Sequence, residues 1–206
     1  LTGCTLAKDS IINHSSLSAE ENNYWGAQIV DKEIDRLFIN DSTIVGYRAP
    51  LDAVTIPKGV KEIPRNVFLN CTSLTSITIG NDVTHIAREA FRGCTALEEV
   101  VILDGVTTID RDAFIYCTGL KEVSIGNGVK SIGDWVFSGC TALEKVTLGN
   151  GVTSIGSEAF EDCVSLPAIV LPDSITTIES SLFRGCSALK EVGIGNRVTS
   201  IESNAF

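Results

Sequence analysis

Apolar residues return along this chain with a step of 23. Leucine stands at 51, 74, 97, 120, 143, 166 and 189, and isoleucine at 63, 86, 109, 132, 155, 178 and 201. Phenylalanine keeps the step at 68, 91, 114, 137, 160, 183 and 206, and cysteine at 71, 94, 117, 140, 163 and 186. Four columns in register without an insertion predict a solenoid, in which each unit buries its apolar face only against its neighbours. The unit at residues 120–142 shows the local plan. Leu120, Val123 and Ile125 follow L-x-x-V-x-I, so Val123 and Ile125 share one face of a strand and Ser124 takes the other. Gly126-Asn127-Gly128 supplies residues tolerant of positive φ for a tight turn. Val129 to Ile132 reads as a second short strand with Val129 and Ile132 inward. Asp134 is expected to cap a brief helical or 3₁₀ turn carrying Trp135, Val136 and Phe137, before Cys140 closes the coil.

The pattern L-x-x-V-x-I-G-N-x-V-x-x-I-x-x-x-A-F-x-x-C resembles the leucine-rich repeats of the bacterial surface-antigen (BspA-like) type over residues 51–206. That resemblance implies a curved leucine-rich-repeat solenoid of seven units, the last incomplete, on secreted or cell-surface proteins with adhesive or binding roles. It brings no catalytic residues and no cofactor. Pro57, Leu103 and Pro172 depart from the turn glycine, and Val67, Val136 and Leu182 from the alanine before Phe. Pro167 falls inside an expected strand and removes a ladder donor, so pairing is expected to be weakest there.

Residues 1–50 do not obey the period and form a second region. Leu1-Thr2-Gly3-Cys4 matches a lipoprotein-type cleavage motif in letters, without an apolar segment before it. Asn22-Asn23-Tyr24-Trp25-Gly26 resembles the motif at the closing coil of some extracellular parallel β-helix proteins, and the resemblance extends over residues 11–51. The alternative is an N-terminal cap. Leu37 to Ile39 and Thr43 to Val45 flank a polar turn and read as a hairpin that covers the first coil, with a short helix at Asp31 to Arg36 before it. The repeat stops at Phe206 inside a unit, and solenoid ends normally carry a cap, so the native chain is expected to continue.

Charge and chemistry narrow the function. A net charge of −10 argues against a nucleic-acid partner, and no apolar run approaches the roughly 18 residues of a membrane helix. Of seven cysteines, six occupy one position per coil. Neighbouring coils lie about 4.8 Å apart, a separation a disulfide tolerates, but equivalent side chains point the same way. Free buried thiols are therefore expected. No C-x-x-C pair supports zinc. With only His14 and His85 present, a Ser–His–Asp arrangement has no support; His85 reads as a solvated surface residue. The glycines do not form a phosphate loop. Three N-glycosylation sequons begin at Asn13, Asn40 and Asn70. The chain is not expected to be an enzyme.

The first-strand face, expected to be concave, is where binding has geometry behind it. Its outward columns bring Glu98, Glu99, Val101, Lys121, Glu122, Ser124, Glu144, Lys145 and Thr147 together, with Val170, Lys190 and Glu191 further along. One reading is a solubilising surface. The other is a ligand face for an extracellular protein or glycan, with Val101 and Val170 as exposed apolar contacts. Function is accordingly expected to be adhesion or binding at a cell surface, or else a rigid spacer presenting another extracellular domain.

Overall fold

The computed structural model describes residues 36–206. They open with an antiparallel hairpin, β1 (Leu37–Asn40) and β2 (Thr43–Tyr47). Coils follow, each giving a first and a second strand: β3 (Ala53–Thr55) and β4 (Glu62–Ile63), β5 (Ser76–Ile79) and β6 (His85–Ile86), β7 (Glu99–Ile102) and β8 (Thr108–Ile109), β9 (Glu122–Ile125) and β10 (Ser131–Ile132). The last three coils contribute β11 (Lys145–Thr147) and β12 (Ser154–Ile155), β13 (Ala168–Val170) and β14 (Thr177–Ile178), β15 (Glu191–Gly193) and β16 (Ser200–Ile201). The expected leucine-rich-repeat solenoid with a β-rich cap is what forms. The helix expected over Asp31 to Arg36 lies outside the described residues except for Arg36, as do Cys4, His14 and the Asn22–Gly26 motif.

The 23-residue period becomes register. In the five-stranded sheet of β3, β5, β7, β9 and β11, Val54, Ile77, Val100, Val123 and Val146 align in parallel. The seven-stranded sheet runs β1-β2-β4-β6-β8-β10-β12, so the hairpin caps its free edge through Thr43 beside Glu62. Capping matters because an open edge offers unpaired backbone groups to any passing strand. Between the sheets runs a stack of rings: Tyr47 on Phe68, then Phe91, Phe114, Phe137, Phe160, Phe183 and Phe206, with centroids 4.8 to 5.8 Å apart.

The cysteine column is free and buried, as the parallel orientation requires. From Cys94 onward each thiol donates to the carbonyl of the Phe in the coil before: Cys94 to Phe68 and Cys117 to Phe91 at 3.1 Å, Cys186 to Phe160 at 3.0 Å. That carbonyl also accepts the N–H of its own coil's Cys, for example Cys71 to Phe68 at 3.0 Å. A sulfur small enough for the column thus completes a buried carbonyl that leucine or alanine would leave half-satisfied.

The segment before each Phe differs in detail from the expected helical or 3₁₀ turn. It holds a succession of turns, and among the described residues it contains no helix. The reason is a column of left-handed residues, Asn66, Glu89, Asp112, Trp135, Glu158, Ser181 and Asn204, with φ between 54° and 61°. One such residue reverses the winding before a helix propagates. Glu89, Asp112, Trp135, Glu158 and Ser181 are each held by a bond to the next coil, such as the Asp112 N–H to the Asp134 carbonyl at 2.9 Å. Asp134 does not cap its own turn. Its Oδ1 accepts the Ser157 N–H one coil on, at 3.0 Å.

Both sheets part between the fifth and sixth coils; β13–β15 and β14–β16 form separate two-stranded pairs. In earlier coils Thr75, Glu98, Lys121 and Glu144 each donate to the coil before. Pro167 occupies that column and has no N–H to give. Pro172 also lacks an N–H on the other side of β13, in the column where Leu103 and Gly126 donate to Ile79 and Ile102, although Gly149 one coil earlier already makes no such bond among the described residues. Two prolines bracket one three-residue strand, and the weakness anticipated at Pro167 becomes a break in the first sheet; the second parts at β14 with no proline in it. The turn side stays joined, with the Phe160 N–H on the Leu182 carbonyl at 3.1 Å.

Candidate ligand face and an arginine–carboxylate cluster

Strand alternation delivers the outward side chains of the five-stranded sheet. Lys121 reaches back to Glu98 at 2.9 Å and Lys145 to Glu122 at 2.5 Å, each pair joining one column across two coils. Both pairs are exposed, so each contributes about 0–1 kcal/mol; their larger effect is to order four long side chains. Glu99 stands directly beside Glu122 in the register, which leaves two like charges abreast with Lys145 on one of them.

The sheet break divides the expected face. Glu98, Glu99, Val101, Lys121, Glu122, Ser124, Glu144, Lys145 and Thr147 lie on or beside the five-stranded sheet, whereas Val170, Lys190 and Glu191 belong to the β13–β15 pair. Val170 is 73% exposed, as expected. Val101 is only half-exposed, since Thr78 and Ser124 flank it in the ladder. His85 differs from its expectation too. It is bracketed by two carboxylates from the coils on either side, with Nδ1 3.3 Å from Glu62 and Nε2 3.0 Å from Asp110.

A second charged site went unread in the sequence. Arg65, Arg88 and Arg111 occupy one column in three consecutive coils, three residues before each Phe, and the next residues in two of those coils are Glu89 and Asp112. The left-handed turn tucks both carboxylates inward, leaving Glu89 8% and Asp112 6% exposed. Glu89 accepts from Arg65 at 3.2 Å, Arg88 at 3.3 Å and Arg92 at 3.2 Å. Burial raises the carboxyl's pKa, but the Arg65 hydrogen bond and the charges of Arg88, Arg65 and Arg92 outweigh it and hold it below the ordinary value. Arg111 bonds Asp112 at 3.1 Å and lies over the Trp135 ring, 4.9 Å from its centroid. The signal available was the column itself: three arginines where the later coils have Asp134, Ser157, Ser180 and Ser203.

Two overlapping stretches, residues 44–165 and 107–206, match the family profile of the BspA type leucine rich repeat region, in six copies. The chain belongs to the BspA-type leucine-rich-repeat family. Solved structures agree. A leucine rich repeat protein of T. pallidum is 34% identical, over 77% of this chain and 77% of that one, with a TM-score of 0.72. A leucine-rich repeat protein from Eubacterium ventriosum is 31% identical over 84% of this chain, with a TM-score of 0.77. One from Bacteroides ovatus is 32% identical over 85%, with a TM-score of 0.72. This chain spans about half the length of those two, 48% and 50% respectively. No curated protein matches it. Among the described residues no helix is long and apolar enough to cross a membrane. These BspA-type coils are of a kind that typically binds rather than catalyses.

Proposed function

We propose that this BspA-type solenoid is a non-catalytic binding module of the cell surface or secreted space, with the five-stranded sheet as its ligand face. The observation that supports this reading most is the register of that sheet. Strands locked at 23-residue offsets hold Glu98, Glu99, Lys121, Glu122, Glu144 and Lys145 as a fixed array. The cross-coil pairs order the longest of these side chains beforehand, so less entropy is lost when a partner docks. The partner is an extracellular protein or glycan with alternating charge of its own. Because the two-stranded pair lies beyond the break, Val170 contributes as a separate apolar contact.

The test is a screen of the protein on arrayed matrix proteins and glycans beside a Glu99→Lys/Glu122→Lys/Lys145→Glu variant. That variant keeps an ion pair between positions 122 and 145 while inverting its sense. A hit lost in the variant supports the sheet as the ligand face. A hit that survives places binding elsewhere, and silence from the intact protein favours a rigid spacer.

A further inference from the structure

The arginine column lies away from that sheet, on the turn side. We propose that Arg65, Arg88, Arg92 and Arg111 form a binding site for an anionic glycan carrying sulfate or uronic-acid groups. Four guanidiniums meet only two carboxylates here, Glu89 and Asp112, so the cluster carries a surplus of two positive charges on a chain whose net charge is −10. A guanidinium offers five N–H donors. Among the described residues each of these arginines makes a single side-chain hydrogen bond, so most of their donors have no acceptor there. All four side chains are between 40 and 59% exposed, so their guanidiniums are within reach of a ligand, although the Nε of Arg88 is itself buried.

The repeat supplies its own control. Columns the fold requires are filled in every coil, as Phe and Leu are. The arginine column is not such a column, because Asp134, Ser157, Ser180 and Ser203 stand in it and their coils close with the same turn. Like charges stacked on neighbouring coils are unfavourable, and folding does not ask for three of them in a row.

Spacing and charge narrow the partner class. The rings of Phe68, Phe91 and Phe114, which belong to the coils bearing the three arginines, step by 5.0 and 4.8 Å. An extended peptide presents same-side residues about 6.8 Å apart and falls out of step with the column. Guanidiniums suit oxyanions such as carboxylate and sulfate in bidentate geometry, and a chain of charged sugars presents such groups repeatedly along its length. Net charge opposes every polyanion alike, so a glycan and a nucleic acid are told apart by the oligothymidylate arm of the test.

The test uses isothermal titration of the whole protein with a heparin-derived hexasaccharide, its desulfated form, an oligothymidylate and a poly-glutamate peptide. The decisive variant is Arg88→Ser/Glu89→Asn/Arg111→Ser/Asp112→Asn. It copies the Ser203-Asn204 pair already present in the chain and leaves the net charge unchanged. The milder Arg65→Ser leaves Glu89 paired with Arg88 and Arg92, so a folding defect in the first variant does not end the test. The sulfated hexasaccharide is expected to bind, more weakly as salt rises, with at least a tenfold loss in the quadruple variant and a threefold loss in Arg65→Ser. Lys121→Ser/Lys145→Ser, on the sheet, should change it less than twofold, so this site and the sheet fail or stand separately. The proposal is overturned if the intact protein does not bind the hexasaccharide, or if both arginine variants bind undiminished. It is equally overturned if the sheet variant loses as much, or if oligothymidylate or poly-glutamate binds as tightly.

Discussion

A cysteine at the same place in six coils is a packing device, and its chemistry shows it. Burial pushes the Cys117 thiol up and that of Cys140 to about 12, so neither supplies thiolate near neutral pH. The native protein is therefore expected to leave Cys117 and Cys140 unreactive toward a disulfide reagent, with Cys186, which the Cys163 thiol holds below its ordinary value at the more open end of the column, the first of the ladder to react; the unfolded, unreduced protein is expected to release all seven of the chain's cysteines. A lower unfolded count would mean that bridges form. Glu89 makes an acid-side prediction. Its pKa is lowered from 4.5 in the folded state, so its contribution is present above that value and is lost as pH falls through the folded pKa. Glu89→Gln is expected to unfold more easily at pH 7, and the gap from the parent to narrow in acid denaturant titrations below about pH 4.5. A gap that stayed constant would remove the carboxylate from the account. Phe114, enclosed by rings on both sides, is expected to cost about 3–5 kcal/mol when truncated to Ala.

At the scale of elements, what the sequence disclosed depended on whether one residue type carries one structural meaning. Val–x–Ile alternation carried the first strands, and Phe and Cys carried the stack. Pro167 carried the sheet break because a missing N–H has no other reading. The left-handed turn was hard to read: only Asn66, Asp112 and Asn204 in its column are residues that visit positive φ readily, while Glu89, Trp135 and Ser181 adopt it because a neighbouring coil holds their N–H groups. The arginine site depended on the same hidden turn, since nothing in the letters says that Glu89 and Asp112 tuck in and their neighbours stay out. The sheet break has a direct test. Pro167→Lys copies Lys121 and Lys190 in the same column and restores a donor toward the Glu144 carbonyl. Restoring one backbone bond is expected to stabilise by about 0.5–1.5 kcal/mol, read as a rise in the urea midpoint. Loss of stability would show that the chain at 167 is held away from its neighbour for another reason.

For the whole molecule, stability in a solenoid is a sum of coil terms and nearest-neighbour interfaces, so one weak interface divides the sum. Here the fifth and sixth coils are joined by the Phe160–Phe183 contact and by turn-side bonds such as Asp162 N–H to the Arg184 carbonyl at 2.8 Å. They lack the sheet ladders that join every earlier pair of coils. Residues 36–165 and 166–206 should consequently behave as two cooperative blocks. Native-state hydrogen exchange is expected to show amides of β13 to β16 opening at a lower free energy than those of β5 to β12. Fraying from the chain end would also lower protection there, but it would fall off gradually from Phe206 toward the interior. A step in protection between β12 and β13 is the signature of the break. Combining Pro167→Lys with Pro172→Gly, the residue whose N–H at Gly126 bonds the coil before, returns both donors and should erase the step while leaving end fraying in place. If the step survived the double substitution, the prolines would be passengers and the division between the blocks would lie in the packing of coil on coil.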